Sequence, residues 1–135
     1  LRHDARYAMF AEAMLANGQA GDAAHVIRDV FELSAEPWGK CEFLRLRAAT
    51  ERALGRDGDA RVTLMASLDA ARAIRCPAWE LRSALDLATL LGERSAHGEA
   101  RHILAPVHAR FTDGFETGDL ANARLLLAQL ARRQA

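Results

Sequence analysis

Residues 48–64 read Ala-Ala-Thr-Glu-Arg-Ala-Leu-Gly-Arg-Asp-Gly-Asp-Ala-Arg-Val-Thr-Leu. A helix-favouring stretch that begins with Ala48 runs into Gly55. After a short polar run comes Gly58-Asp59-Ala60, and Leu64 follows Ala60 by four positions. The same frame occurs twice more. Upstream, Ala11, Gly18, Gly21-Asp22-Ala23 and Ile27 lie 37 residues earlier. Downstream, Ala88, Ser95, Gly98-Glu99-Ala100 and Leu104 lie 40 residues later. Self-similarity at a period of this length is the mark of a stacked repeat.

Each unit reads as two helices joined by a polar turn. Ala23, Val26, Ile27 and Val30 follow the i, i+3, i+4, i+7 stripe of an amphipathic helix. Ala100, Ile103, Leu104, Val107 and Phe111 repeat it, and Ala60, Leu64, Leu68, Ala71 and Ile74 do so more loosely. The acidic residue before each alanine falls in the first turn, where it favours the positive end of the helix dipole. The first helices are expected over about 3–16, 40–54 and 78–92. The recurring alanine sits in the middle of each and belongs to the packing seam of the hairpin. Gly18 and Gly55 suit a left-handed helix end. Cys76-Pro77 marks a helix start, and Ser34 to Gly39 reads as a connector. The hairpins are therefore expected over about 3–34, 40–75 and 78–111.

A seventh helix is expected over 118–132. Phe111 to Phe115, with Gly114, reads as the end of the sixth helix. Thr117 suits the N-cap of the seventh, whose apolar face is Leu120, Ala123, Leu127 and Leu130, with Leu126 beside it. Such a last helix covers the terminal apolar face of a solenoid. Pro106 breaks the pattern inside the sixth helix and predicts a kink near His102 to Pro106.

Composition agrees. The chain has 29 alanines and 19 leucines, against 12 isoleucines, valines and threonines together. That balance favours helices over strands, and the fold class is all-α. At 135 residues the chain is one domain, and its start at Leu1 rather than Met reads as a piece of a longer protein. Eighteen basic and eighteen acidic residues cancel. A nucleic-acid module carries a basic footprint, so no nucleic acid is expected as a partner. No apolar run has the length of a membrane span and no signal peptide is evident. Cys41 and Cys76 are too few for a disulfide framework, and a reducing cytoplasm is the expected setting.

The unit resembles a tetratricopeptide repeat. The resemblance rests on Ala11, Ala48 and Ala88 at the eighth position, Ala23, Ala60 and Ala100 at the twentieth, and Ile27, Leu64 and Leu104 at the twenty-fourth. The tyrosine of the first helix is replaced by Met14, Glu51 and Leu91. Residues 41–130 also resemble the C-terminal repeat region of large bacterial regulatory proteins. The run carrying this is Trp79 to Ala84, Leu87 to Leu90, Glu99 to Arg101, Leu104-Ala105-Pro106-Val107 and Phe111 to Thr117 with Asp119-Leu120. In those proteins a class III nucleotide cyclase domain or a DNA-binding domain precedes an ATPase of the AAA/STAND type. His108 and Arg110 stand where that family often has aromatics. The resemblance implies that ATPase or cyclase chemistry belongs to upstream domains.

The residues of this chain suggest no chemistry of their own. The phosphate-cradling pattern of a P-loop is absent, since Gly39-Lys40 lacks the rest of it. His97, His102 and His108 are five and six residues apart, not the i, i+4 of a helical zinc pair, and His3 and His25 have no cysteine beside them. Carboxylates such as Asp57, Asp59, Glu99 and Asp119 fall at helix ends, where capping accounts for them. No catalytic residue, metal or cofactor is expected. The candidate site is the groove lined by the first helices. Its inward positions are Ala5, Ala8, Glu12 and Leu15, then Glu42, Arg45, Ala49 and Arg52, then Arg82, Leu85, Thr89 and Glu93. Among them Glu42, Arg45, Arg52, Arg82 and Thr89 are the candidate partner-binding residues. The arginines suit a carboxylate or an acidic segment, held by bidentate bonds, or else they pair with local glutamates.

The expected function is a non-catalytic interaction or regulatory module of a bacterial signalling protein. It would bind a protein partner or the upstream domains of its own chain. The alternatives are a small-molecule effector pocket that controls those domains, or a dimerisation element. Tyr7, Phe10 and Met14, if bare, would point to a missing repeat or to a homodimer through the N-terminal hairpin.

Overall fold

The computed structural model describes residues 2–33, 37–114 and 117–134. Seven helices account for nearly all of them: α1 (Arg2–Ala16), α2 (Ala20–Leu33), α3 (Pro37–Ala53), α4 (Asp57–Ala73), α5 (Pro77–Glu93), α6 (His97–Ala109) and α7 (Gly118–Gln134). No strand occurs among the described residues. The chain is all-α, built of three helical hairpins and a closing helix.

The repeating alanines explain why the hairpins close. Ala11, Ala48 and Ala88 on the first helices and Ala23, Ala60 and Ala100 on the second are all 0 % exposed. A methyl group at each crossing lets the two backbones approach. The aliphatic one turn further on, Ile27, Leu64 or Leu104, is buried beside it. Each helix also packs on the next in sequence, so every hairpin sits on its neighbour. Consecutive first helices meet, α1 with α3, α3 with α5 and α5 with α7, whereas the second helices α2, α4 and α6 do not meet one another among the described residues. The stack therefore closes on its first-helix side and opens on the other.

The turns follow from the same frame. At the end of α1 the Gly18 N–H donates to the Leu15 carbonyl at 3.1 Å and the Gln19 N–H to the Met14 carbonyl at 2.8 Å. This is the paired bond of a Schellman cap, which needs one left-handed residue. The pattern recurs with Gly55 (φ 77°) and, at the matching position of the third unit, with Ser95 (φ 63°). Arg75 (φ 52°) does the same between α4 and α5. Two of the four caps thus hold a side chain in a conformation that favours glycine.

Two boundaries differ from the sequence reading. Pro37 to Gly39 belong to α3 rather than to a connector, because proline is tolerated where a helix's first N–H groups have no partner. The sixth helix continues through Pro106, which cannot bond the His102 carbonyl, and stops at Ala109 before Phe111. Its end tightens, with Arg110 N–H donating to Val107 and Phe111 N–H to His108. Gly114 is left-handed (φ 71°), but five residues beyond the helix end. Phe115 and Ser34 lie outside the described residues. The start of α7 is as expected, with the Thr117 carbonyl accepting from the Ala121 N–H at 2.9 Å.

Helix α7 buries Leu120, Ala123 and Leu130. It can approach because Gly92 on α5 has no side chain. A Cβ there would stand 3.2 Å from Leu130 Cδ2. The apolar interior is in two parts that meet within α3. Phe43 and Leu46 join the first hairpin's cluster, while Ala48 joins the larger cluster of the second and third hairpins and α7. Between α3, α4 and α5 runs a buried polar seam. Ser67 donates to the Cys41 carbonyl at 2.9 Å, and with that hydrogen committed, Ser83 donates to Ser67 at 2.7 Å.

The caps yield a direct test. A left-handed non-glycine costs about 1–2 kcal/mol, and glycine's greater freedom when unfolded returns part of that. Ser95→Gly is therefore expected to raise unfolding stability by about 0.5–1 kcal/mol. The reverse change, Gly55→Ala, is expected to lower it by about 1 kcal/mol, although nothing lies within 4 Å of the added carbon. Urea denaturation of both variants measures this.

Candidate functional site

The first-helix groove is where the sequence places a binding site. Glu42 is buried there, and Arg45, Arg52, Arg82 and Thr89 are half-buried. The side chain of Ala5 lies outside the described residues. Arg45 is the centre of a network. Its Nη2 donates to Glu42 Oε1 at 2.7 Å and to Glu12 Oε1 at 3.1 Å, its Nε to Glu42 Oε2 at 3.1 Å, and its Nη1 to Asp86 Oδ2 at 3.0 Å. One guanidinium thus joins α1, α3 and α5. Burial works against its charge, but the hydrogen bonds and charges of Glu42 and Asp86 outweigh that and hold its pKa above the ordinary value. Asp86 is desolvated as well. Burial pushes its carboxyl up against the pull of Arg45, and the neighbouring charge of Glu42 adds to the rise.

The other groove arginines do the same one step along the stack. Arg52 donates to Glu93, from α3 to α5. Arg82 donates to Asp119 at 3.3 Å, from α5 to α7, and its guanidinium lies 4.8 Å from the centre of the Trp79 ring. Thr89 turns its hydroxyl back to its own helix, donating to the Leu85 carbonyl at 2.8 Å. The candidate residues therefore do not converge on one open site. Of the two roles open to the arginines, they take pairing with the chain's own carboxylates. Outside the groove, Arg61 bonds Glu99, and Arg94 donates to Asp57 at 3.1 Å, again from one unit to the next. Exposed pairs of this kind are worth about 0–1 kcal/mol each, so they set register more than stability.

Two further surfaces stand out, of which the sequence reading marked only the second. The first is a cleft of about 400 Å³ between α2 and α3, walled by Ile27, Phe43, Thr50 and Leu54, with Arg47 and Glu51 at its side. In the third unit the positions matching Arg47, Thr50 and Glu51 are Leu87, Leu90 and Leu91, all buried. Leucines take that seam into the core, whereas this one holds polar residues beside a cleft. The contrast was available to a comparison of the repeats position by position. The second surface is the outer face of α1. Tyr7, Met9 and Phe10 are 46 %, 70 % and 52 % exposed. Met14 is half-buried against the first hairpin's cluster.

Neither cysteine forms a disulfide. Cys41 is buried and its thiol pKa is raised, first by burial and then by the nearby Cys76 and Glu42. A raised pKa disfavours the thiolate that a nucleophile needs. Among the described residues no group of three His, Cys, Asp or Glu side chains is placed to hold a metal ion. None of the described helices is long and apolar enough to cross a membrane.

Fold and surfaces together define a domain of stacked helical hairpins whose inner arginines are occupied within the chain. Comparison with family models, with curated proteins and with solved structures returns no match.

Asp86 gives the groove a pH signature. Its folded carboxyl keeps its proton to a higher pH than the ordinary 3.8. Between those two values the folded state binds more protons than the unfolded one, so ionisation works against folding there. The stability of the native chain relative to Asp86→Asn is expected to be level below the lower value and to fall as pH rises through the window. Urea midpoints of both proteins from acid to neutral pH measure it. A gap that moves in favour of the native chain with rising pH would contradict the assignment.

Proposed function

We propose that the chain is a non-catalytic docking module, and that the outer face of α1 takes an amphipathic helix of the kind that α2 and α4 are. The observation that carries this is a match of register. Phe10, Ala13, Met14, Asn17 and Gln19, which border a shallow depression along α1 and the turn after it, correspond to Arg47, Thr50, Glu51, Leu54 and Arg56 along α3 and the turn after it. That is the side of α3 that faces α2 across their cleft. On α5 the matching Leu87 and Leu90 are buried in the core, and α5 packs on α4. Each later first helix uses this face to receive the second helix before it. On α1 the same face carries exposed aromatics, and a contiguous exposed apolar patch marks an interaction site.

The resemblance of residues 41–130 to the repeats of bacterial regulatory proteins supports one source for that helix. It belongs to the cyclase-type or ATPase domains joined to such repeats, and the module regulates them by holding it. The groove is the weaker candidate, because its arginines already have partners.

The test places a second helix on α1. A copy of residues 57–77 joined ahead of Leu1 carries α4 into α1 in the register with which it enters α5. The added helix is expected to dock, raising the melting temperature by several degrees, and Phe10→Glu is expected to cancel the gain while leaving the unextended chain folded. An extension that stays unfolded, as read by circular dichroism and amide exchange, would overturn the proposal. So would a concentration-dependent dimer of the unextended chain dissolved by Phe10→Glu, since the face would then belong to a second copy.

A further inference from the structure

We infer that the α2–α3 cleft is a binding site for a small amphipathic carboxylate, a molecule with an apolar body and one anionic head. Its volume of about 400 Å³ lies within the range of small-molecule pockets. It is also built by the repeat rather than left by loose packing. The three units share one frame, and in the third unit Leu87, Leu90 and Leu91 fill this position and unite the second and third hairpins in one core. In the second unit Arg47, Thr50 and Glu51 stand there instead, and the apolar interior divides at α3. Three polar residues at positions that the fold can fill with leucine weaken the seam, and the cleft is what they create.

The chemistry of the ligand follows from the walls. Leu54 offers an exposed apolar surface, with Ile27 and Phe43 buried behind it. Thr50 adds no donor, because its hydroxyl is given to the Leu46 carbonyl at 2.7 Å. Three arginines stand at the rim. Arg28 has Asp29 at 3.5 Å and Arg56 has Asp59 at 2.8 Å. Arg47 differs. Among the described residues its one charge partner is Glu51, at 3.9 Å, beyond hydrogen-bond distance. The Glu51 side chain is 7 % exposed and already accepts the Thr63 hydroxyl at 2.6 Å. Glu51 therefore holds Arg47 over the cleft without saturating it. The Arg47 side chain is 60 % exposed and keeps its fork of donors for a carboxylate, the geometry it matches best. A cationic ligand would meet three guanidinium groups at the rim, and a bare inorganic anion would leave the apolar walls unused.

The test is titration of the full chain with octanoate, octylammonium and inorganic phosphate, followed by amide chemical shifts. Octanoate is expected to give saturable shifts confined to α2 and α3, and the other two probes none. Arg47→Leu puts into the second unit the residue that the third unit has at this place. It is expected to fold at least as stably as the native chain and to weaken octanoate binding tenfold or more. Replacing Arg47, Thr50 and Glu51 all by leucine is expected to close the cleft, raise the melting temperature and abolish binding. Equal shifts from octanoate and octylammonium would overturn the proposal, as would unchanged affinity in Arg47→Leu, or a triple variant that unfolds. Shifts centred on Tyr7 and Phe10 would also overturn it, and would assign the probe to the α1 face instead.

Discussion

Close approach of two helices at an alanine is the constraint on which the rest of the structure depends. Ala11, Ala48 and Ala88 have no exposed surface, and neither do Ala23, Ala60 and Ala100. Protein interiors are packed as densely as organic crystals, so a methyl group at each crossing sets the distance between helices. That distance fixes where the turn must reverse the chain. The left-handed residue follows seven positions after each first-helix alanine, whether it is Gly18, Gly55 or Ser95. It also fixes the spacing from one unit to the next, and the ion pairs of the groove record that spacing. Arg45 with Asp86 and Arg52 with Glu93 are each 41 residues apart, and Arg82 with Asp119 is 37 apart.

Seen this way, the groove and the cleft are opposite outcomes of one scaffold. On the first-helix side the charged positions of successive units come together, and each arginine meets a carboxylate of its neighbour. The result is a closed, self-neutralised surface. Where a second helix meets the following first helix, the frame calls for large apolar side chains. The third unit supplies them with Leu87, Leu90 and Leu91. The second unit does not, and the buried carboxylate of Glu51 with the Thr63 hydroxyl stands in their place. A buried charge is costly unless it is paired. Thr63 and, more distantly, Arg47 offset that cost.

Much of the fold was legible because it is local. The apolar stripes of α2 and α6, the acidic first turns at Asp22, Asp59 and Glu99, and the left-handed position shared by glycine and serine each depend on residues within one or two turns. The start of α3 was harder, since proline within residues 34–39 reads equally as a breaker or as the first residue of a helix. The end of α6 was misplaced because the apolar stripe runs on to Phe111 while the helix stops at Ala109. The groove was legible as a set of positions on one face. Its charge state was not, because, apart from Arg45 with Glu42 three residues before it, the arginines find their partners some 33–41 residues away. No local pattern carries that pairing. The cleft had a signal, the replacement of three leucines by Arg47, Thr50 and Glu51, but it is visible only when the units are laid over one another.

The seam itself can be tested most directly by making it too wide. Leucine at Ala48 adds three carbons at the centre of the crossing, and leucine at the exposed Ala53 adds the same atoms on the same helix outside it. Overpacking a closed interior costs about 1–3 kcal/mol or more, while an exposed change on a helix is worth about 0.5 kcal/mol at most. Urea unfolding of the two variants is predicted to show Ala48→Leu destabilised by at least that larger amount and Ala53→Leu close to the native chain. Equal stability of the two would mean that the hairpins do not close on their alanines, and would contradict the account.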